Sequence, residues 1–278
     1  MSEQKGFFEN LSPKSSLLAG VITGVLVICT LGFFIMIGVY LGGDEAKSKA
    51  DDDTIGAEVD NRGQVEPVAQ APKSDKPVVE LFVMSYCPYG LQMEKAFLPA
   101  WSLLKGKADI SIKFVNYAMH GLTEIEEQTR QACIANQEED VYIEYLKCFT
   151  LAGDSEQCIE EVGVNTTQLS SCVDELDSQY GIMDYYNDQS SWLSGVYPIY
   201  PLHDSLNKQY GVEGSPTLVI NGKQISVSRT PENVKKVICA AFNEVPEECN
   251  TQLSTAGVSA SFGAGTAGDE AAYASCGA

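Results

Sequence analysis

Positive charge is scarce in this chain. Against 38 Asp and Glu stand 18 Lys and Arg, giving a formal net charge of −20 and an isoelectric point near 4.3. Nucleic-acid binding needs a cationic footprint and is excluded as the main role. The acidity reads as a solvated surface. Internal repeats are absent, and nothing in the sequence calls for a metal or a cofactor. Large apolar residues are nearly missing from residues 42–76, a hydrophilic linker rich in Asp, Glu, Lys, Gly and Pro that buries too little surface to fold alone. They are equally thin in the Gly/Ala/Ser-rich tail, residues 251–278, which is expected to be disordered.

Charge is missing altogether from Leu17 to Leu41, a run of 25 residues. As a helix it would span roughly 37 Å, enough for a bilayer core with some tilt. It is too long for the apolar part of a signal peptide, and no small-x-small cleavage site follows it. Lys5 and Lys14 precede the run and "GGDEAKSKADDD" follows it. This bias predicts a single-pass cell-membrane protein, with residues 1–16 cytoplasmic and the body outside. Cys29 within the run reads as a membrane-buried apolar residue. Nine cysteines in one chain are many for a reduced compartment and suggest an oxidising one.

The folded body is expected over residues 77–250. "PVVELFVMS" predicts a buried strand, and Pro88 suits the first position of a helix whose apolar face runs through Met93, Phe97, Trp101 and Leu104. "ADISIKFVNYA" alternates as a second strand. Thr123 with Glu126 reads as a capping box opening a helix-rich insertion, about 119–210. "SPTLVINGKQISVS" gives a strand, an Asn221-Gly222 turn and a returning strand. Thr230 and Pro231 open a last helix. The order is β-α-β, a helical insertion, then β-β-α.

Chemistry concentrates in "YCPYG", Tyr86 to Gly90. A cysteine between a strand end and a helix start feels unpaired N–H groups and the positive end of the helix. Both favour the thiolate, which is the nucleophile. The same residue also suits a buried structural cysteine or half of a plain disulfide. Far along the chain, "GVEGSPTLVING" puts Pro216 just before a strand. A proline there removes a ladder donor, and a cis Ser215–Pro216 bond would let the preceding backbone pair with an extended substrate. An ordinary trans proline at a strand start is the alternative. Glu80, on the strand leading to Cys87, is a candidate buried acid, and His120 reads as a turn histidine.

Across the body the chain resembles the thioredoxin superfamily, especially its DsbA-like branch. The carrying residues are "YCPYG" at the strand-to-helix junction and "GSPTLVING" before the hairpin. The middle, with "MHGLTEIEEQTRQACI", "YLKCF", "EQC" and "LSSCV", is similar to the gamma-interferon-inducible lysosomal thiol reductase family. The resemblance implies a thioredoxin-like α/β fold with a helical insertion. It makes Cys87 the nucleophile, Pro88, Tyr89 and Gly90 the rest of its motif, and Ser215 and Pro216 the substrate-binding edge. It also implies structural roles for Cys133, Cys148, Cys158 and Cys172, whose three pairings the sequence does not separate. One departure matters: the usual second cysteine of the motif is replaced by Gly90.

Cys239 and Cys249 flank the end of the last helix and are expected to form a bridge. Three structural bridges leave Cys87 and Cys276 over. Without a cysteine at position 90, a mixed disulfide on Cys87 waits for another thiol, and Cys276 is the candidate resolving thiol. A flexible tail of about 26 residues spans on the order of 28 Å, and a body of about 174 residues has a radius of gyration near 16 Å, so the tail reaches. A solvent-exposed cysteine without that role is the alternative.

The expected function is membrane-anchored, extracytoplasmic thiol–disulfide exchange or isomerisation. The expected partners are cysteine-containing proteins, a further thiol or redox partner, and the lipid bilayer through the N-terminal helix. A redox-inactive module that binds extended polypeptide, as a chaperone or scaffold, is the competing reading. A single-cysteine iron–sulfur carrier is disfavoured by the oxidising location.

Overall fold

The computed structural model describes residues 58–59, 65–66, 70–265 and 276–277, all within one unit, Gly56–Ala278. The apolar run from Leu17 to Leu41 lies outside them. Among the described residues no helix is long and apolar enough to cross a membrane. Two short strands, β1 (Glu58–Val59) and β2 (Val65–Glu66), pair antiparallel within the linker segment.

The site is built on a four-stranded mixed sheet. Strand β3 (Val78–Val83) is buried from Val79 onward and lies at its centre. Helix α1 (Pro88–Leu104) crosses over to β4 (Asp109–Phe114), which runs parallel to β3 from Val78↔Asp109 to Val83↔Phe114. The insertion holds α2 (Gly121–Ala135), α3 (Glu139–Ala152), α4 (Ser155–Val162), α5 (Thr166–Tyr180), α6 (Ile182–Asn187) and α7 (Asp204–Tyr210). The chain then returns through β5 (Gly214–Ser215) to β6 (Thr217–Ile220), antiparallel to β3. Asn221 and Gly222, at φ 50° and 80°, turn it into β7 (Lys223–Gln224), and α8 (Pro231–Cys239) follows. Strand order β4-β3-β6-β7, with one parallel and two antiparallel pairings, is a mixed α/β thioredoxin-like arrangement.

Alternation along β3 divides the core in two. Val79, Leu81 and Val83 face α1 and α8, packing with Phe97, Trp101, Leu104, Val234 and Ile238. Phe82 and Met84 face the other way, toward Val115, Tyr117, Val212 and the ring of Tyr210. Cys87 belongs to this second cluster. The sulfur therefore sits where the strand and the helix meet the α7 side of the sheet.

Three sequence expectations need correction. The capping box at Thr123 and Glu126 is not used, because α2 starts three residues earlier, at Gly121 with His120 as its N-cap, and the buried carboxylate there is Glu124. Residues 70–76 are not free linker. Ser74 N–H donates to Ala241 O, and Asn243 N–H to Ser74 O, both at 2.9 Å. Residues 251–265 are not disordered tail. The segment has no core of its own, yet α1 and α8 supply partners for its backbone. Gln92 Nε2 donates to Val258 O at 2.9 Å, Lys95 Nζ to Gly263 O at 3.2 Å, and Leu253 N–H to Glu232 Oε2 at 2.8 Å. Phe262 packs edge-on against Tyr86 and Phe149.

Candidate active site

Beyond Val83 the chain turns through Met84, Ser85 and Tyr86 to reach Cys87, whose N–H closes the turn on Met84 O at 3.0 Å. Cys87 is the N-cap of α1, and its Sγ accepts the Gly90 N–H at 3.3 Å. Pro88 follows at the start of the helix, where its missing N–H leaves no unpaired donor. The sulfur thus lies on the positive end of a 17-residue helix. That position lowers the energy of a thiolate relative to a thiol.

The second wall comes from Ser215, 128 residues later. Its Oγ accepts the Met84 N–H at 2.8 Å, tying β5 to the active-site turn. Its carbonyl oxygen stands 3.5 Å from Cys87 Sγ. A disulfide sulfur has no proton to give, so this is a contact, whereas a thiol at that position finds an acceptor. The Ser215–Pro216 peptide bond is cis.

Cys276 completes the site. It forms a disulfide with Cys87 at a Cα–Cα distance of 6.1 Å. Cys276 and Gly277 form a short strand, β8, antiparallel to β5 in the register Ser215↔Cys276 and Gly214↔Gly277. The tail is therefore held by backbone pairing on the edge beside Pro216 as well as by the sulfur. Cys276 packs against the cluster that contains Cys87. Cys87 itself is fully buried, while Cys276 remains partly exposed.

Gly90 has a steric explanation. A β-carbon there would lie 2.7 Å from Ser215 Oγ and 2.9 Å from Met84 O. The same β-carbon would be 3.4 Å from Cys87 Cβ. A cysteine at position 90 would face Cys87 but collide with the serine that braces the turn. Tyr89 lies under the guanidinium of Arg229, whose Cζ is 5.6 Å from the ring centroid. Arg229 Nη1 donates to Gln92 Oε1 at 2.9 Å, and burial draws its pKa down to about 10.

The turn is also held from α2. The Glu124 carboxylate accepts N–H groups of Tyr86 at 3.0 Å, Met119 at 2.8 Å and His120 at 3.1 Å. It also lies 3.0 Å from His120 Nδ1, a hydrogen bond that raises the pKa of that imidazole. Glu80 is buried on β3 and engages Tyr210, whose phenol is pushed up first by burial and then by that carboxylate. The other cysteines among the described residues stay out of the site, and Cys29 lies outside those residues. Cys133–Cys172 joins α2 to α5, Cys148–Cys158 joins α3 to α4, and Cys239–Cys249 closes the end of α8. Among the described residues no group of three or more His, Cys, Asp or Glu is placed to hold a metal ion.

Glu94, Glu124 and Arg229 went unmarked in the sequence reading. Glu94 had a signal: it falls two helical turns after Cys87, on the face that carries Met93 and Phe97 inward. Arg229 had none, because its partner Gln92 is 137 residues away, and Glu124's tie to the active-site turn, through the Tyr86 N–H, spans 38 residues.

No protein-family model matches the chain, and no curated protein does. Solved structures do. Reduced DsbA from Mycobacterium tuberculosis is similar at a TM-score of 0.42 and 17% identity, over 66% of this chain and 91% of that one. DsbA from Pseudomonas aeruginosa is similar at 0.38 and 18%, over 61% and 84%. MdbA, a thiol-disulfide oxidoreductase from Actinomyces oris, is similar at 0.39 and 14%, over 62% and 83%. These three solved structures are DsbA-like oxidoreductases of the thioredoxin fold.

Proposed function

We propose that this chain is a thiol–disulfide oxidoreductase or isomerase whose nucleophile is Cys87 and whose second redox cysteine is Cys276. The observation that carries the reading is one piece of geometry. A cysteine sulfur at a helix N-cap, accepting the Gly90 N–H, is bonded to a second cysteine on a strand laid along β5. In the reduced protein the Cys87 thiolate attacks one sulfur of a substrate disulfide, and the other substrate sulfur leaves as a thiolate. The Cys276 thiolate then attacks the substrate sulfur of that mixed disulfide and expels the Cys87 thiolate. That thiolate attacks Cys276 Sγ, forms the Cys87–Cys276 bond and releases the first substrate sulfur as a thiolate. The reverse sequence oxidises a substrate dithiol. Reshuffling needs only the first step, since the freed substrate thiolate can attack elsewhere before Cys276 arrives.

The substrates in this reading are cysteine-containing proteins outside the cytoplasm. Residues 17–41 anchor the body in the cell membrane, and the linker lets it reach them. The pairing of β8 with β5 taken alone also suits a passive polypeptide-binding module, and thiol reactivity separates the two readings. Reduced protein is alkylated across a pH series and mapped by mass. Cys87 is expected to react at pH 5–6, where an ordinary thiol with a pKa near 8.5 is almost fully protonated. A Cys87 that reacts no faster there than an ordinary thiol overturns the enzymatic reading.

A further inference from the structure

We infer that in the oxidised protein an incoming thiol attacks Cys276, so that electrons enter the redox pair through the tail strand. This rests on the reading of Cys87 and Cys276 as a working redox pair. Thiol–disulfide exchange chooses between two sulfurs by access and by the quality of the leaving thiolate. Here both criteria select the same atom.

Access comes first. Cys87 is fully buried in a cluster with Phe82, Met84, Val115, Tyr117, Val212 and Val219. Attack on a disulfide proceeds in line with the bond being broken. Reaching Cys87 Sγ from the side opposite Cys276 would take a thiolate through its buried surroundings. Cys276 sits on a two-residue strand at the β5 edge and is partly exposed, and its in-line approach comes from the side away from Cys87.

The leaving group gives the same answer. Breaking the bond by attack on Cys276 leaves the electron pair on Cys87 Sγ, which accepts the Gly90 N–H at 3.3 Å at the N-terminus of α1. Attack on Cys87 would leave the charge on Cys276, which lies on no helix. The balanced sequence uses two equivalents of a thiol RSH. The first thiolate bonds to Cys276 Sγ and expels the Cys87 thiolate. The second attacks the sulfur of R in that mixed disulfide, forms RSSR and expels the Cys276 thiolate, which takes a proton from water. Two thiols are oxidised and the pair gains two electrons.

The two sulfurs therefore serve different partners. A reducing thiol meets Cys276, and a substrate disulfide meets Cys87 once the pair is open. This reverses the division expected from the motif, in which Cys87 meets every incoming partner.

The test uses the oxidised full-length chain and glutathione. A short exposure to substoichiometric glutathione is quenched in acid, digested at low pH and mapped by mass. The adduct is expected on Cys276 in at least tenfold excess over Cys87. An adduct mainly on Cys87, or equally on both, overturns the inference and leaves the redox reading standing. The Cys239–Cys249 bond serves as an internal control. If the Cys87–Cys276 bond opens no faster than that bond, the redox reading itself fails.

Discussion

A side chain at position 90 would need the space held by Ser215 Oγ and Met84 O. Relief is not available from a flexible tip, because one neighbour is backbone and the other is hydrogen-bonded to backbone. Gly90→Ala is therefore expected to lower stability by about 1–3 kcal/mol, as overpacking does, seen as a lower urea midpoint at unchanged slope. An unchanged midpoint would mean that the turn yields. In the Gly90→Cys variant the introduced thiol should likewise fail to bridge quantitatively to Cys87, read by mass mapping after oxidation. The sequence exposes the missing cysteine at a glance but not its cause. Cys87, Pro88 and Gly90 form a local pattern, whereas the serine that fills the space beside them is 125 residues away from Gly90.

Helix α2 contributes through its first turn. Glu124 is buried and is the acceptor for three backbone N–H groups, including that of Tyr86, the residue before Cys87. Glu124→Ala leaves those donors in a place with little access to water. The expected cost is at least about 2 kcal/mol, given roughly 1–3 kcal/mol for a buried unsatisfied group. Reduced Glu124→Ala protein should also alkylate at Cys87 with a weaker preference for that thiolate, because the turn no longer holds Sγ against the Gly90 N–H. His120 should titrate lower in the variant, by NMR, since its hydrogen bond to Glu124 is what raises it. A His120 titration unmoved by the substitution would rule out that pairing. Strands, α1 and α8 were legible from alternation, helical spacing and caps such as Thr230. The entry into α2 was not, because Thr123 and Glu126 fit a local capping rule, while the helix starts at Gly121 and Glu124 accepts the N–H groups of Met119 and His120. The insertion's disulfides stayed open for the same reason: spacing along the chain does not say which helices lie side by side.

For the molecule as a whole, the central packing carries a cost in one buried acid. Glu94 is fully buried, neither of its carboxylate oxygens has a hydrogen-bond partner, and burial, reinforced by Glu127, raises its pKa to about 8. Unfolded, the same carboxyl titrates near 4.5. Between those values the fold holds a proton that the unfolded chain releases. Stability is thus greatest at the acid end of the window and falls as pH rises toward 8. Glu94→Gln is expected to flatten that slope, measured as urea midpoints from pH 5 to pH 8.5, and equal slopes in the two proteins would remove Glu94 as its source. A last consequence concerns biosynthesis. Cys87 and Cys276 are 189 residues apart, with the other three bridges enclosed between them. At roughly 5–20 residues per second, Cys87 exists for about 10–40 s before Cys276 has been made. In that interval the nascent chain holds the reactive thiol without its partner, so newly made molecules can be caught by other thiols before the tail strand seals the site.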